Sequence, residues 1–480
     1  MKLKDLIKNI EVLGIKGDLE TEVCGLSYHS NDVTPGGMFF VLRGEKTHGR
    51  YYVEDAINNG ARVILFDEPL CSYPEGITLV QVPSVRDAMG KIAAKFYGQP
   101  VKQMTLIGIT GTNGKTTTSH LIASILNKVG FKVGIIGTIG YSYCGSNVSA
   151  KMTTPESVEL QRLLRDMLNC GVTHVVMEVS SHALAYKRVL GCSFKICVFT
   201  NLSRDHLDFH KDMEAYFLCK RRLFTHYLDG LGVINKDDDY GKRLLDLDID
   251  YYTYGLNSAS ITAKVIKMGL DGTRAEIDTP KGKFNINTQL LGLPNVFNMM
   301  AATGAALGLG IDIVDIKAGI EGIPYVPGRF QRISKNGIEV IVDYAHTPDA
   351  LRYLLSTLKG FCSGRLITVF GCGGERDRGK RRLMGEIAGR LSDLVVVTDD
   401  NPRNEPPEQI VKEIEIGLTH CKGHYLIIHD RRRAINFAIN KAKRGDIIIV
   451  AGKGHETYQI FGEKVYPFSD VEEVKRALNA

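Results

Sequence analysis

The sequence has no hydrophobic run long enough to cross a membrane. None of its 480 residues lies in an apolar stretch near the ~18 residues that a spanning helix needs. The amino-terminal segment MKLKDLIKNIEVLGIKG spaces its apolar residues as a helix does and has no continuous signal-peptide core. We therefore expect a cytoplasmic protein without a membrane partner.

The sequence also lacks cysteines at metal-binding spacing. Its ten cysteines include no C-x-x-C pair, as the positions of Cys144, Cys170, Cys192 and Cys197 illustrate. Without an export signal, reduced thiols in a cytosolic protein are the expected state.

A strong charge bias is missing as well. The net charge of +6 over 480 residues is too weak and too scattered to indicate nucleic-acid binding. The 44% hydrophobic and 24% charged residues are typical of globular proteins. The length predicts two to four domains, and 50 glycines suit an α/β protein with many tight turns.

The pattern of strands and helices predicts three α/β segments. Residues 1–100 contain short strands at 60–67 and 76–83 and a helix over 84–97 with Ser84 as its N-cap. Residues 101–326 alternate β-branched strands with helices, which predicts a parallel sheet. One of these helices is predicted to be opened by Thr154 and Pro155, and 251–290 read as an antiparallel insertion or edge. Residues 327–480 repeat the alternation and predict a second, Rossmann-like α/β domain.

A glycine-rich turn follows the first strand of the central segment. Gly108, Gly111 and Gly114 precede Lys115, Thr116 and Thr117, which open a helix. Backbone N–H groups at a helix start, a lysine for the phosphates and a hydroxyl for Mg²⁺ form a phosphate cradle. Ile109 breaks the strict G-x-x-x-x-G-K-[ST] pattern, so a plain strand–helix turn is the alternative. We expect ATP or GTP here.

Acidic and imidazole side chains end the next strands. Glu178 closes one strand, and Asp205, His206 and Asp208 follow another, which places them on the ligand-binding edge of the sheet. They suggest a divalent metal at the transferred phosphate, although Glu178 alone could be a solvated edge carboxylate. Lys220, in YFLCKRRLF, is by composition part of a solvated helix face.

The carboxy-terminal segment carries polar motifs directly after its strands. VDYAHTPDAL, GCGGERDRGKRR, DDNPRNEPP and AGKGHETYQ are expected to gather at one sheet edge. A nucleic-acid patch is disfavoured because Glu375 and Asp377 interrupt the basic run and no aromatics interleave for base stacking. A site for a small anionic substrate fits better.

Taken together, these motifs resemble the Mur ligases. GITGTNGKTTT, MTTPES, EVSSHAL, NLSRDHLDFH, PGRFQRI, DYAHTPDAL, GCGGERDRGKR, DNPR and AGKGHE stand in that family's order over nearly the whole chain. More narrowly the chain resembles the MurE type, and Ile109 stands where the family has a non-glycine residue. The resemblance implies a UDP-substrate domain at 1–100, an ATP-binding domain at 101–326 and an amino-acid-binding domain at 327–480.

The resemblance also implies site residues. For ATP they are Gly111, Thr112, Asn113, Gly114, Lys115, Thr116, Thr117, Asn295, Asn298, Arg329, Asp343 and His346. For magnesium they are Thr116, Glu178, His206 and Lys220, the last as a carbamate. Lys115, Glu178, His206 and Lys220 would serve catalysis. For the UDP-N-acetylmuramoyl dipeptide they are Ser30, Thr153, Thr154, Ser180 and Arg188. For the amino acid they are Arg376, Asp400, Asn401, Pro402, Arg403, Gly452 and Glu456.

Three positions depart from the family pattern. His29-Ser30-Asn31 replaces D-S-R in the uridine motif, GLPN replaces G-x-F-N near the adenine, and Tyr186 stands where a polar substrate contact is common. These departures concern uridine contacts and adenine packing more than phosphate binding.

The amino acid is predicted to be meso-diaminopimelate. Arg403, with Arg376, offers planar forks for its second carboxylate and would repel the terminal ammonium of L-lysine, which is the alternative. Folylpolyglutamate synthase, a regulatory P-loop ATPase and a non-enzymatic scaffold are the rival classes. A monomer is expected.

Overall fold

The computed structural model describes residues 1–44, 47–70, 75–421 and 423–479. Its strands are β1 (Gly14–Lys16), β2 (Leu26–Ser27), β3 (Met38–Phe40), β4 (Val63–Phe66), β5 (Thr78–Gln81), β6 (Thr105–Thr110), β7 (Val133–Ile136), β8 (Tyr141–Tyr143), β9 (Ser146–Val148), β10 (His174–Glu178), β11 (Phe194–Phe199), β12 (Leu228–Asn235), β13 (Asp250–Gly255), β14 (Ile261–Gly269), β15 (Gly272–Thr279), β16 (Gly282–Thr288), β17 (Gln331–Lys335), β18 (Ile338–Asp343), β19 (Leu366–Phe370), β20 (Leu394–Val397), β21 (His424–Ile427), β22 (Ile447–Ala451), β23 (Tyr458–Phe461) and β24 (Lys464–Pro467).

The helices are α1 (Leu3–Leu6), α2 (Val53–Asn58), α3 (Val85–Phe96), α4 (Lys115–Lys128), α5 (Ser157–Asn169), α6 (Ser181–Ala185), α7 (Leu207–His210), α8 (Met213–His226), α9 (Asp239–Lys242), α10 (Leu293–Gly308), α11 (Ile313–Glu321), α12 (Pro348–Lys359), α13 (Gly379–Leu391), α14 (Pro407–Leu418), α15 (Arg431–Lys441) and α16 (Asp470–Asn479). Within the described ranges, no helix combines the length and hydropathy needed to cross a membrane.

The chain forms two compact units. The first comprises Met1–Gly108, Phe131–Lys195 and His226–Asp229; the second comprises Ile109–Gly130, Ile196–Thr225 and Gly230–Ala480. The α/β class predicted from the sequence is confirmed, whereas the domain boundaries after residues 100 and 326 stay predictions.

The first unit begins with a sheet in the order β1-β5-β4-β3-β2. Strands β2 to β5 pair in parallel, and β1 is antiparallel to β5. Alternate residues face opposite sides, so Phe39 and Ile64 join one buried cluster and Phe40 and Leu65 another. Helix α3 has the predicted cap: the Ser84 hydroxyl accepts from the Asp87 amide.

The same unit contains β10 paired in parallel with β7, which continues into the antiparallel strands β8 and β9. Helix α5 begins at Ser157 after Glu156, later than the predicted start at Thr154. The reason is that the Thr154 hydroxyl donates to the Glu178 carbonyl (2.8 Å) and accepts from the Ser180 amide (3.1 Å), so it does not cap α5.

In the second unit, β12, β13 and β14 pair in parallel, and β14, β15 and β16 pair antiparallel. The predicted antiparallel insertion over 251–290 is therefore confirmed at its β14–β16 end. Helix α4, which follows the glycine-rich turn, packs against α10 and α11.

The carboxy-terminal part of this unit is a sheet in the order β17-β18-β22-β19-β20-β21. All neighbours are parallel except β17 with β18. One face packs on α12, α13 and α14, and the other on α15 and α16. Because parallel strands end at one edge, the segments after Asp343, Phe370, Val397 and Ala451 meet there.

Candidate active site

The glycine-rich turn has a geometry that only glycine satisfies. Gly111 (φ 144°) and Gly114 (φ 88°) lie in the left-handed region. A Cβ at Gly111 would collide with the Thr200 hydroxyl, and one at Gly114 would reach 2.5 Å from Oδ1 of Asn298. Helix α4 starts at Lys115, so the N–H groups of its first turn, which have no carbonyl partner within the helix, face the turn. This is the predicted phosphate cradle.

Residues after β11 hold the cradle in place. The backbone N–H of Asn113 donates to Oδ1 of Asn201 (2.9 Å). The Asn113 carbonyl accepts from the Thr200 hydroxyl (2.7 Å) and from Nδ2 of Asn201 (3.0 Å). Nζ of Lys115 donates to the carbonyls of Gly111 (2.9 Å) and Thr112 (2.8 Å). The lysine predicted to meet phosphate is thus folded along the loop.

Two asparagines of α10 reach the cradle from far along the chain. Oδ1 of Asn298 accepts from the Thr118 hydroxyl (3.3 Å), and its Nδ2 donates to Asn295 (3.1 Å). Asn295 in turn donates to the Leu291 carbonyl (2.7 Å). Both residues predicted to contact nucleotide therefore lie beside the phosphate loop.

Arg329 reaches the cradle from the segment before β17, and Asp343, at the end of β18, binds the backbone next to Arg329. Nη2 of Arg329 donates to the Thr116 hydroxyl (3.2 Å), and its guanidinium lies 4.4 Å from the centroid of the Tyr344 ring. Asp343 accepts from the amides of Phe330 (2.6 Å) and Ala345 (2.7 Å). Burial raises the pKa of Asp343, against Arg329 and these two amides.

Asp205 is the centre of a buried charge cluster. Its carboxylate lies 3.4 Å from Nε2 of His206, 3.7 Å from Nε2 of His346 and 3.8 Å from Nζ of Lys380. Burial would raise the pKa of Asp205, but His206, His346 and Lys380 together lower it well below its usual value. This places the predicted residues His206 and His346 around one carboxylate.

Lys220 is buried, not solvated as its composition predicted. It is 1% exposed, its Nζ donates to the Gly111 carbonyl (2.7 Å), and it lies 4.7 Å from the Tyr216 ring centroid. The apolar face of α8 turns inward and carries Lys220 with it, while Arg222 is exposed. Burial, then the charge of Lys115, lowers the pKa of Lys220 well below its usual value.

Glu178 ends β10 in the first unit and is 1% exposed. Its two oxygens accept from the Thr138 amide and hydroxyl, both at 2.9 Å. Thr153 and Thr138 share a hydroxyl contact of 3.1 Å. The alternative of a solvated edge carboxylate is therefore wrong.

The Thr116 hydroxyl in the second unit and the Glu178 carboxylate in the first are each oxygen donors of the kind that magnesium prefers. Across the ranges the structure describes, no three His, Cys, Asp or Glu side chains gather as a metal cluster.

The residues predicted for the UDP-dipeptide also lie in the first unit. The Ser180 hydroxyl caps α6 by accepting from the Ala183 amide (3.1 Å). Nε of Arg188 donates to Glu156 (2.8 Å), and its Nη1 reaches the Thr154 carbonyl (3.4 Å). Thr153, Thr154, Ser180 and Arg188 therefore form one group.

Two of the motifs that depart from the family pattern lie in this unit. Ser30, the residue of His29-Ser30-Asn31 that matches the family, lies in a 3₁₀ turn, where its carbonyl accepts from Nδ2 of Asn59 (3.0 Å). Tyr186 is flanked by the guanidinium groups of Arg86 (4.3 Å from the ring centroid) and Arg188 (5.5 Å). Guanidinium groups facing an aromatic ring make favourable cation–π contacts with it.

The motif DNPR folds over the edge of the carboxy-terminal sheet. Nη1 of Arg403 donates to the Gly374 carbonyl (2.7 Å) and contacts that of Asn401 (3.4 Å). A Cβ built at Gly373 would stand 3.1 Å from Nη1 of Arg403 and 3.8 Å from Cγ of Arg376, so the two side chains are neighbours. Burial, then the charge of Arg376, lowers the pKa of Arg403. Nδ2 of Asn401 donates to Oε2 of Glu456 (2.9 Å).

The other residues predicted for the amino acid adjoin them. Asp400 lies beside Gly452, because a Cβ built at Gly452 (φ 114°) would stand 2.8 Å from Oδ2 of Asp400. Pro402 accepts from the Glu405 amide through its carbonyl (3.2 Å). The predicted amino-acid residues are thus gathered at one edge.

The basic run after β19 is largely neutralised. Arg381, 0% exposed, bonds both Glu405 and Glu413, and Arg378 pairs with Glu413. Asp377 contacts Arg204 (3.2 Å). These ion pairs support the view that the run is not a nucleic-acid patch. That view stays a prediction.

Sequence reasoning missed Lys380 and Lys453 and gave Asp205 no particular partner. Lys453 is 0% exposed and pairs with Glu456 (2.8 Å). Its place between two glycines was the available signal, because Gly-Lys-Gly after a strand marks a constrained loop.

Three family models match the chain in succession: the Mur ligase family catalytic domain over residues 22–97, the Mur ligase middle domain over 109–306, and the Mur ligase glutamate ligase domain over 328–454. The chain is 45% identical to the UDP-N-acetylmuramoyl-L-alanyl-D-glutamate–2,6-diaminopimelate ligase of Geobacter metallireducens, with 99% of this chain and 98% of the relative covered. The chain belongs to the Mur ligase family.

Solved structures support the same placement. A UDP-N-acetylmuramoyl-L-alanyl-D-glutamate–2,6-diaminopimelate ligase structure is 35% identical, covers 100% of this chain and 99% of its own, and has a TM-score of 0.70. Folylpolyglutamate synthase of Mycobacterium tuberculosis is 18% identical, with coverage of 77% and 93% and a TM-score of 0.65, and so shares the fold alone. The resemblance to the MurE type is confirmed, and this Mur ligase is an enzyme, not a scaffold or a regulatory ATPase.

Proposed function

We propose that this Mur ligase joins meso-diaminopimelate to UDP-N-acetylmuramoyl-L-alanyl-D-glutamate, with conversion of ATP to ADP and phosphate, in peptidoglycan precursor synthesis. The observation that carries the proposal is the amino-acid edge of the second unit. There, the Arg403 guanidinium and the Glu456 carboxylate are joined through Asn401. A guanidinium and a carboxylate together suit an amino acid with both carboxylate and ammonium groups.

The reaction must activate a carboxylate. One of its oxygens bonds to the γ-phosphorus of ATP as the bond from that phosphorus to the bridging oxygen breaks, leaving ADP. The amine nitrogen of diaminopimelate then bonds to the acyl carbon and loses a proton. Finally the bond from that carbon to phosphate breaks.

The cradle residues hold the phosphates during the transfer. Lys115 exchanges the carbonyls of Gly111 and Thr112 for phosphate oxygens, and the α4 N–H groups add partial positive charge. Arg329, which already reaches Thr116, brings a second cation beside the cradle. Alignment of two bound reactants contributes roughly 7–11 kcal/mol to such reactions.

Magnesium, held by Thr116, Glu178, His206 and carbamylated Lys220, would neutralise phosphate charge as a Lewis acid. Burial lowers the pKa of Lys220 and so favours the neutral amine, whose nitrogen can bond to CO₂ with loss of a proton. The product is a carbamate, which is an oxygen ligand. Asn295, Asn298, Asp343 and His346 are proposed to contact the nucleotide.

Diaminopimelate is favoured over L-lysine because the side chains of Arg403 and Arg376 both border Gly373. Two guanidinium groups attract the distal carboxylate of diaminopimelate and repel the distal ammonium of lysine. A monomeric state, a cytoplasmic location and the three-domain division remain predictions alongside this proposal.

The deciding experiment measures phosphate release with ATP, Mg²⁺ and the UDP-dipeptide, adding meso-diaminopimelate or L-lysine in parallel. Release and a tripeptide product with diaminopimelate alone are expected. Product with lysine alone would overturn the role of Arg403 in selection, and release without either amino acid would overturn the ligase reaction.

A further inference from the structure

Lys453 is a buried cation in the loop after β22, outside the set of residues predicted from the motifs. Its side chain is 0% exposed. Burial of an ammonium is unfavourable unless other groups compensate the charge. The groups that compensate the charge of Lys453 therefore indicate its role.

The loop backbone fixes the direction of this side chain. Gly452 (φ 114°) and Gly454 (φ 54°) flank Lys453. A Cβ at Gly454 would stand 2.6 Å from the Gly328 carbonyl oxygen. A larger residue at either neighbour would therefore displace the loop that carries Lys453.

The partners of Lys453 are themselves residues of the proposed amino-acid site. Its Nζ donates to Oε2 of Glu456 (2.8 Å) and to Oδ1 of Asn401 (3.2 Å), and lies 5.5 Å from the Tyr458 ring centroid. Asn401 completes a triangle, because its Nδ2 donates to the same Oε2 of Glu456 (2.9 Å).

The Glu456 side chain is consequently held by one oxygen. Within the described chain, both of its side-chain hydrogen bonds end on Oε2. Two donors on one oxygen orient the carboxylate plane and direct Oε1 away from Lys453. A carboxylate so oriented accepts a charge-assisted hydrogen bond without first losing side-chain freedom.

We infer that Lys453 is a positioning residue for amino-acid binding: it holds Oε2 of Glu456 so that Oε1 faces the ammonium group of the incoming amino acid. This inference rests on the proposed function, since it assigns Glu456 to that substrate. Lys453 acts through Glu456 and does not itself touch the substrate.

The test is a double-mutant cycle on the full-length enzyme, with KM measured separately for meso-diaminopimelate, ATP and the UDP-dipeptide. Lys453→Met should raise the KM for meso-diaminopimelate about tenfold or more, as loss of a hydrogen bond to a charged group does. The KM for ATP should stay within about twofold. Lys453→Gln, which keeps a donor, should show a smaller rise.

The cycle separates a positioning role from a merely structural one. Lys453→Met combined with Glu456→Gln should be no worse than Glu456→Gln alone, because Lys453 acts through Glu456. The control is Lys464→Met, an exposed lysine of β24, which should leave all three KM values unchanged.

The inference would be overturned if the rise in KM of the double variant equalled the product of the rises in the two single variants. An equal rise of all three KM values in Lys453→Met would also overturn it. If Lys453→Met does not fold, Lys453→Gln completes the same cycle with the same criterion. A wild-type enzyme that ligates only L-lysine refutes the proposed substrate, and the cycle is then run with L-lysine. A wild type that ligates neither overturns both proposals.

Discussion

Two buried lysines of the second unit have opposite environments. Lys220, beside the phosphate cradle, has no carboxylate within ion-pair distance among the described residues, and its Nζ bonds a backbone carbonyl. Lys453, at the amino-acid edge, bonds Glu456 at 2.8 Å. Burial, then the charge of Lys115, lowers the pKa of Lys220 and prepares a reactive amine, whereas the carboxylate of Glu456 compensates the burial of Lys453. The same residue type thus serves chemistry in one region and positioning in the other.

The largest effect is expected from removing the unpaired lysine. Lys220→Ala should lower kcat on the order of 10²–10³-fold, a loss typical of removing one group that stabilises transition-state charge. Short carboxylates should restore part of the activity by replacing the carbamate. Steady-state ligation assays measure both effects, with exposed Arg222→Ala as the control. Full activity of Lys220→Ala would remove the distinction between the two lysines.

Next in size is removal of the counter-charge from the paired lysine. Glu456→Gln leaves Lys453 buried without its carboxylate and should lower the free energy of unfolding by roughly 3 kcal/mol. Adding Lys453→Met should regain much of that loss. Denaturant unfolding measures both variants.

The control for this comparison is the exposed pair of Glu472 and Lys475, whose removal should change stability by under about 1 kcal/mol. If Glu456→Gln and the control pair have the same effect, Lys453 does not depend on its counter-charge.

A smaller effect is expected at the neighbouring guanidinium. Arg403→Ala should raise the KM for diaminopimelate 10- to 100-fold, or about 1.4–2.8 kcal/mol. Arg403→Lys should restore little, because an ammonium cannot form the planar fork. Exposed Arg433→Ala is the matched control. An unchanged KM would show that the edge selects its amino acid without Arg403.

The smallest effect concerns Glu405, one of the two carboxylates that pair with the buried Arg381. The hydrogen bond from Arg381 lowers the pKa of Glu405 to about 2, against burial, which raises it. The stability that Glu405 adds is therefore complete above its unfolded pKa of about 4.3 and falls as the pH drops towards 2. Glu405→Gln should flatten the pH dependence of unfolding free energy in that window. The control is Glu408→Gln at an exposed position, which should keep the wild-type slope. A slope for Glu405→Gln equal to that of the wild type or of the control would contradict this prediction.

The sequence predicted the elements well because strong local signals agree with tertiary packing. Uninterrupted β-branched runs such as 447–451 became buried parallel strands, and Ser84 caps α3 as predicted. Thr154 failed as a helix start because its hydroxyl is bound to β10 and Ser180. Local propensity could not reveal that competition.

Site prediction was limited by burial. Composition around Lys220 predicts a solvated face because Arg221 and Arg222 follow it, yet the residue lies on the inward face of α8. The partners of Asp205 come from positions 346 and 380, which no local pattern connects. The resemblance of the motifs to a known family assigned roles to Lys220 and His346. Physical reasoning from residue spacing alone found only the phosphate cradle and the polar edges of the two sheets.

The contact between Asn298 and the phosphate loop also concerns protein synthesis. Thr118 and Asn298 are 180 residues apart, and the chain emerges from the ribosome in order, amino terminus first. The nucleotide cradle is therefore complete only after α10 has been synthesised. A ribosome-bound chain that stops before residue 298 has every glycine of the loop but lacks the hydrogen bond between Thr118 and Asn298. ATP binding by nascent chains of increasing length would time the moment at which the enzyme gains its nucleotide site.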